Sequence, residues 1–211
     1  MIVAIDGPAG GGKSALAKLI AERMDFFLLN SGYFYRAVTL YGLRAQSMDE
    51  GAWITIAQSI DFSIADGALL VNGVALSGDL HSDVIDAWVP KVSSVVAVRT
   101  ILNEKMRSLV ANRDVVCEGR DMTSVVFPDA QLKIYLDASV EIRAKRRFQQ
   151  EYSTLSLDEI QKSIQNRDEI DRTKSVGALQ IVPEAWYIDS SDKSLEDVYA
   201  MIQTKIADIR V

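Results

Sequence analysis

Eight residues near the start of the chain carry the clearest chemistry. Gly7-Pro8-Ala9-Gly10-Gly11-Gly12-Lys13-Ser14 fits the pattern G-x-x-x-x-G-K-[ST], the spacing of a phosphate-binding P-loop. Such a loop holds phosphate oxygens with backbone N–H groups at a helix N-terminus, and glycines let the backbone approach and adopt positive φ. In that chemistry Lys13 reaches the β- and γ-phosphates and the Ser14 hydroxyl ligates Mg²⁺. Lys13 is expected in a solvent-facing loop outside the core. The loop predicts a site for a nucleoside triphosphate. Two basic runs are further candidates: Arg143, Lys145, Arg146 and Arg147, then Arg167, Arg172 and Lys174. Each reads either as a solvated helix face or as arginines converging on phosphates, where a planar fork of donors suits the ligand.

These residues need elements to position them. Ile2-Val3-Ala4-Ile5 reads as a buried strand, and from Ala15 onward Leu16, Leu19 and Ile20 recur at helical spacing, which is the strand–loop–helix setting a P-loop requires. Phe26 to Leu29 is a second strand. Asn30-Ser31-Gly32 breaks it, and a helix from Tyr33 to about Leu43 carries Arg36. Gln46 to Ile60 reads as a weak helix. Phe62, Leu69, Val71 and Val74 to Leu76, punctuated by Asp66-Gly67 and Asn72-Gly73, predict a small antiparallel meander. Val95 to Ala111 is a helix opening with Arg99. Strands follow at Asp114 to Glu118, Leu132 to Leu136 and Ala185 to Ile188. They alternate with helices at Ala138 to Tyr152, Ser156 to Arg172 and Ser194 to Ile209. Five strands interleaved with helices make an α/β protein with a parallel, doubly wound sheet, into which the meander region is inserted.

Composition narrows the function classes. The chain has 211 residues, 48% hydrophobic and 25% charged, the proportions of an ordinary globular protein of one domain. No run approaches the ~18 apolar residues of a membrane span, and the first strand begins too early for a secretion signal. A cytoplasmic location and no membrane partner are therefore expected. The net charge of −6 argues against nucleic acid as the main partner. The single Cys117 excludes an internal disulfide and reads as a small core residue, and the lone His81 reads as a surface residue.

The chain resembles the bacterial cytidylate kinases, of the nucleoside monophosphate kinase group, over nearly its whole length. The resemblance rests on Ile5-Asp6-Gly7-Pro8 leading into the P-loop, Asn30 to Arg36, Val98-Arg99, Glu118-Gly119-Arg120-Asp121-Met122 and Val125-Val126-Phe127-Pro128-Asp129-Ala130. Leu136-Asp137-Ala138, Arg167-Asp168 and Asp171 complete it. It implies a P-loop kinase fold, with residues 45–94 as a monophosphate-binding subdomain and 148–157 as a short lid. It also implies Mg²⁺-dependent transfer of the ATP γ-phosphoryl group to CMP or dCMP by a monomer. Gly7 to Ala15 would bind ATP, with Lys13, Arg143, Arg146 and Arg147 acting on its phosphates. By matching positions Ser31, Arg99 and Asp121 would read the cytosine edge. Arg36, Arg120 and Arg167 would hold the acceptor phosphate, and Asp171 and Lys174 would sit at the sugar. Asn30, Pro90, Glu118, Thr123 and Lys174 depart from the family pattern. Another acceptor such as UMP, or a nucleotide-binding module without turnover, stays open as an alternative.

Overall fold

In the computed structural model, residues 1–65, 68–75, 80, 82–149 and 156–210 are described. In chain order come β1 (Ile2–Asp6), α1 (Lys13–Met24), β2 (Phe27–Asn30), α2 (Ser31–Arg44) and α3 (Glu50–Ser59). Strands β3 (Phe62–Ala65), β4 (Ala68–Val71) and β5 (Val74–Ala75) follow, then α4 (Asp83–Ser94), α5 (Val96–Leu109) and β6 (Val115–Gly119). A π-helical turn (Met122–Val126), β7 (Leu132–Asp137), α6 (Val140–Phe148), α7 (Leu157–Thr173), β8 (Trp186–Asp189) and α8 (Leu195–Arg210) complete the chain. They form two compact units, Met1–Leu28 with Arg113–Val211, and Leu29–Asn112.

The first unit is built around β1. The sheet order is β2-β6-β1-β7-β8, and β1 runs parallel to both neighbours, with Val3 opposite Val116 on one side and Leu132 on the other. A central parallel strand is covered on both faces, which explains the unbroken apolar run at its start. Val3 and Ile5 are fully buried among Leu16 and Ile20 of α1 and Ile202 and Ile206 of α8. The register sets Asp6 beside Gly119 and Tyr135, so the loops after β1, β6 and β7 leave from one edge of the sheet. In open α/β sheets that carboxyl edge is where ligands bind. Cys117 lies at the centre of β6, fully buried, its thiol donating to the Val3 carbonyl at 3.5 Å. Burial pushes the pKa of that thiol well up.

The second unit packs α2 against α3 and α4, and α3 against α5, beside the antiparallel sheet β3-β4-β5. Phe62 pairs with Val71 across β3 and β4, and Phe34 of α2 lies against the Phe62 ring at 4.4 Å between centroids. The Asn72-Gly73 turn between β4 and β5 holds φ at 51° and 76°, the double positive φ such a hairpin turn demands. The residues expected as the insert, 45–94, fall inside this unit. The Asp66-Gly67 turn, the end of the last meander strand at Leu76, His81, and most of the expected lid lie outside the described residues.

Two local readings of the sequence change. Helix α2 begins at Ser31 instead of Tyr33, because the Asn30 side chain caps it by accepting from the Gly32 N–H at 2.9 Å. Helix α4 has no counterpart in the sequence reading. Pro90 lies inside it and has no N–H to return to residue 86, which argues for a break. The helix forms nonetheless: the Ser82 side chain caps it, and Ile85 and Val92 are buried.

Candidate active site

The loop from Gly7 to Ser14 joins β1 to α1 in the first unit, and close backbone approaches define its shape. A Cβ at Gly7 would lie 2.0 Å from the Leu136 carbonyl oxygen, so no other residue fits there. Gly12, with φ at 91°, supplies the left-handed turn that starts α1. Gly10, Ser14 and Ala15 are exposed, whereas Pro8 and Ala9 are buried.

Lys13 is not solvent-facing, contrary to expectation. It is the first residue of α1 and only 5% exposed, and its ammonium donates to the Pro8 carbonyl at 2.8 Å. Burial is the main cause, with the nearby Arg120 charge adding to it, of a pKa lowered to about 7. The physical reason is packing: the amine folds back over its own loop, where the loop carbonyl replaces water. The Ser14 hydroxyl donates to Glu118 Oε1 at 2.7 Å, which joins the loop to the buried carboxylate at the end of β6.

Asp6, the last residue of β1, has a role that the sequence reading did not assign. Its buried carboxylate accepts from the Met122 N–H at 2.9 Å, the Thr123 N–H at 2.7 Å and the Thr123 hydroxyl at 2.6 Å. Burial pushes its pKa up, and these bonds oppose the rise. The contacts pin the π-helical turn, whose Val126 and Phe127 N–H groups reach back five residues to Asp121 and Met122. Asp121, expected to read a base, directly precedes the turn and is buried. A polar residue closing an apolar strand was the available signal. Thr123, one of the departures from the family pattern, supplies two of the three donors.

The basic helix α6 separates its arginines by direction. Arg143, expected at the ATP phosphates, is turned inward and 2% exposed. Its Nε donates to the Ala138 carbonyl at 2.9 Å, its Nη1 to the Ala9 carbonyl at 3.0 Å, and its Nη2 pairs with Asp168 at 2.7 Å. Three of its five N–H donors are thus taken by protein groups, which ties it to the loop through the Ala9 carbonyl. Arg146 donates to Ser190 Oγ and to the Ser190 carbonyl at 3.1 and 2.7 Å. Its Nη1 also lies 3.8 Å from where a Gly12 Cβ would stand, so this arginine flanks the loop. Arg147 is exposed.

On α7, Asp171 gathers two cations. Arg120 Nε donates to Asp171 Oδ2 at 2.6 Å, and Lys174 Nζ lies 3.5 Å from Oδ1. Burial alone would raise the Asp171 pKa, but the Arg120 and Lys174 charges outweigh it and hold the carboxyl below its usual range. Arg167 is exposed on the same helix. In the second unit, the Arg36 guanidinium donates to the Leu80 carbonyl at 2.7 Å and pairs with Asp86. Arg99 is buried, its Nη1 donating to the Ser93 carbonyl at 2.9 Å and its guanidinium over the Tyr35 ring at 5.4 Å. Ser31 is buried at the first position of α2.

The ligand set for a metal is sparse. Among the described residues no group of three or more His, Cys, Asp or Glu side chains could hold an ion. Ser14 and Glu118 nevertheless present hard oxygen donors side by side, which suits Mg²⁺. That ion keeps several waters and is shared with nucleotide phosphates.

Comparison with known proteins agrees with this chemistry. Among solved structures, an uncharacterised protein from Eubacterium ventriosum ATCC 27560 superposes with a TM-score of 0.60 at 12% identity, covering 98% of both chains. A shikimate kinase from Acinetobacter baumannii superposes at 0.51 and 14% identity, covering 98% of this chain and 93% of that one. At these identities the likeness shows the fold, that of the P-loop kinases. In sequence, a cytidylate kinase from Borrelia hermsii (strain HS1 / DAH) is 40% identical over 209 residues, 96% of both chains. Cytidylate kinase 1 from Borreliella afzelii (strain PKo) is 36% identical over 97% of this chain and 96% of its own. The family model described as cytidylate kinase matches residues 3–208, which takes in the loop, Glu118, the pinned turn and Asp171. A phosphate-binding loop with its lysine and serine in place, inside so complete a match, leaves one assignment: this chain is a kinase and belongs to the cytidylate kinase family.

Proposed function

We propose that the protein transfers the γ-phosphoryl group of ATP to CMP or dCMP, giving ADP and CDP or dCDP. The observation that carries this reading is the junction of Ser14 with Glu118 at the mouth of the P-loop, in the same unit as the Arg120–Asp171 pair. The loop residues Gly7 to Ala15 bind the donor phosphates, Pro8 aside, through their N–H groups. Lys13 exchanges its bond to the Pro8 carbonyl for the β- and γ-phosphates. Arg146, and with it the exposed Arg147, serves the donor side. Mg²⁺ would be held by Ser14, with Glu118 accepting from its water shell, and when bound it neutralises charge developing on the phosphates.

For the acceptor, the first unit supplies Arg120 and Arg167 to the phosphate, Asp121 to the cytosine amine, and Asp171 with Lys174 to the sugar. Residues 45–94 would be the monophosphate-binding subdomain, and the family resemblance assigns Ser31 and Arg99 to the base and Arg36 to the phosphate. A carboxylate accepts from the exocyclic amine of cytosine but meets a carbonyl in uracil, which is the basis for choosing CMP over UMP. Phosphoryl transfer asks the protein for in-line positioning and charge neutralisation more than for covalent chemistry. No helix among the described residues is long and apolar enough to cross a membrane. We read the chain as a cytoplasmic monomer acting on small nucleotides, with no nucleic-acid partner. An ADP-release assay over the common ribo- and deoxyribonucleoside monophosphates tests the reading. Turnover confined to CMP and dCMP supports it; equal turnover of UMP, or none at all, refutes it.

A further inference from the structure

We propose that Arg143 is a positioning residue: held by Asp168, it fixes the buried carbonyl of Ala9 and so pre-sets the P-loop to receive the donor's phosphates. This deepens the nucleotide kinase reading above and rests on it. A loop that binds an anion with backbone N–H groups must keep its carbonyls turned away from that anion and give them other partners. The Pro8 carbonyl accepts from Lys13 Nζ at 2.8 Å and from the Gly11 N–H at 3.3 Å. The Lys13 contact must break when phosphates claim the ammonium. The Ala9 carbonyl takes Arg143 Nη1 at 3.0 Å, and nothing in phosphate binding requires that bond to change.

The guanidinium is itself fixed from two further sides. Nε is bound to the Ala138 carbonyl at the end of β7, and Nη2 to Asp168 on α7. The backbone completes the brace: a Cβ on Gly10 would stand 3.3 Å from Arg143 Cβ and 3.4 Å from its carbonyl oxygen, so the loop lies on the first turn of α6. The pair is a poor device for stability alone. Buried ion pairs commonly add little net stability over apolar residues. Here, moreover, the buried Asp168 Oδ1 accepts no hydrogen bond from the described residues. What the pair does supply is a rigid donor at one defined point of the loop.

Two variants test this. In Arg143→Lys an ammonium can keep the ion pair with Asp168 but lacks the planar fork that also reaches Ala9. In the paired variant R143M/D168L the charges are replaced by apolar side chains, a change that buried pairs commonly tolerate. The measurements are calorimetric titration with Mg²⁺ and ADP, kcat and KM for ATP and for CMP, and a thermal melt of each protein. The expected result is folded protein whose affinity for MgADP falls about tenfold, the loss of one charged hydrogen bond. KM for ATP should rise in parallel, with KM for CMP and kcat within about threefold. An affinity for MgADP unchanged within threefold overturns the proposal. So does a hundredfold fall in kcat with MgADP affinity intact, which would mark Arg143 as a group that meets the reacting phosphoryl. If one variant fails to fold, the other decides. If the native protein does not phosphorylate CMP, the acceptor reading falls, while the MgADP titration still judges the brace.

Discussion

Asp171 stands where two jobs coincide, and removing it separates them. Its carboxylate accepts from Arg120 Nε at 2.6 Å, with both side chains mostly enclosed at 14% and 20% exposure. If Arg120 holds the acceptor phosphate, that bond aims the guanidinium; if Asp171 also accepts from a sugar hydroxyl, it reads ribose as well. The two roles differ in size. A hydrogen bond to a charged group contributes ~1.5–3 kcal/mol, which converts to roughly 10- to 150-fold in kcat/KM. A neutral hydroxyl bond contributes ~0.5–1.5 kcal/mol, roughly 2- to 13-fold. Asp171→Ala should therefore cut kcat/KM for CMP and for dCMP alike, by roughly 10- to 150-fold, because alignment of Arg120 serves both substrates. The ratio between the two substrates should move only by the smaller factor. A coupled assay of ADP release, run with each acceptor on both proteins, gives the four rates. Native kcat/KM for dCMP in the variant, with only CMP impaired, would refute the reasoning and leave Asp171 as a sugar reader alone.

Lys13→Ala should lower kcat a hundredfold or more. It should leave the thermal midpoint at neutral pH equal or higher, since it removes an ammonium that burial disfavours; a fall in the midpoint contradicts the buried placement. The same group predicts proton linkage. Its folded pKa of about 7 lies below the ordinary lysine value, so on this account stability rises as pH climbs from about 7 towards that value. Phosphate binding restores the ammonium, so Mg²⁺ and ADP should bind near pH 8 with uptake of up to about one proton. Calorimetry in two buffers of different ionisation enthalpy reads this, and zero uptake refutes it. For the sugar, Pro90 offers no N–H and no hydroxyl, and the Ser93 and Ser94 hydroxyls already donate their protons to the Pro90 and Lys91 carbonyls. CMP and dCMP should differ in kcat/KM by no more than about tenfold, and Pro90→Ser should raise the preference for CMP. A native preference of a hundredfold would contradict this.

What the sequence revealed divides along physical lines. The P-loop is legible because its determinants are local: an apolar strand, glycines where positive φ and close approach are needed, then a helical period. The meander is legible for the same reason, since Asn72-Gly73 states its turn. Helix α4 is not, because a proline outweighs a cap and two buried positions when a segment is read alone. Nor does the basic stretch of α6 announce which cation turns inward. Arg143 and Arg146 differ only in their place around the helix. Arg143's fate is decided by the Ala9 carbonyl, 134 residues away in sequence, and by Asp168 on the next helix. The burial of Lys13 is likewise invisible in a motif that specifies what the residue does with a ligand and not where it rests without one.

The placement of Cys117 has a practical side. Its thiol lies inside the central sheet with a raised pKa, so the thiolate that alkylating reagents attack is scarce as well as shielded. The native chain should remain unlabelled by a maleimide dye while folded. A cysteine introduced on an exposed position of either unit would then be the sole reactive one, with no need to replace the natural residue. A single fluorophore placed in this way on α5 or on α8 would report on its own unit alone as nucleotide is added.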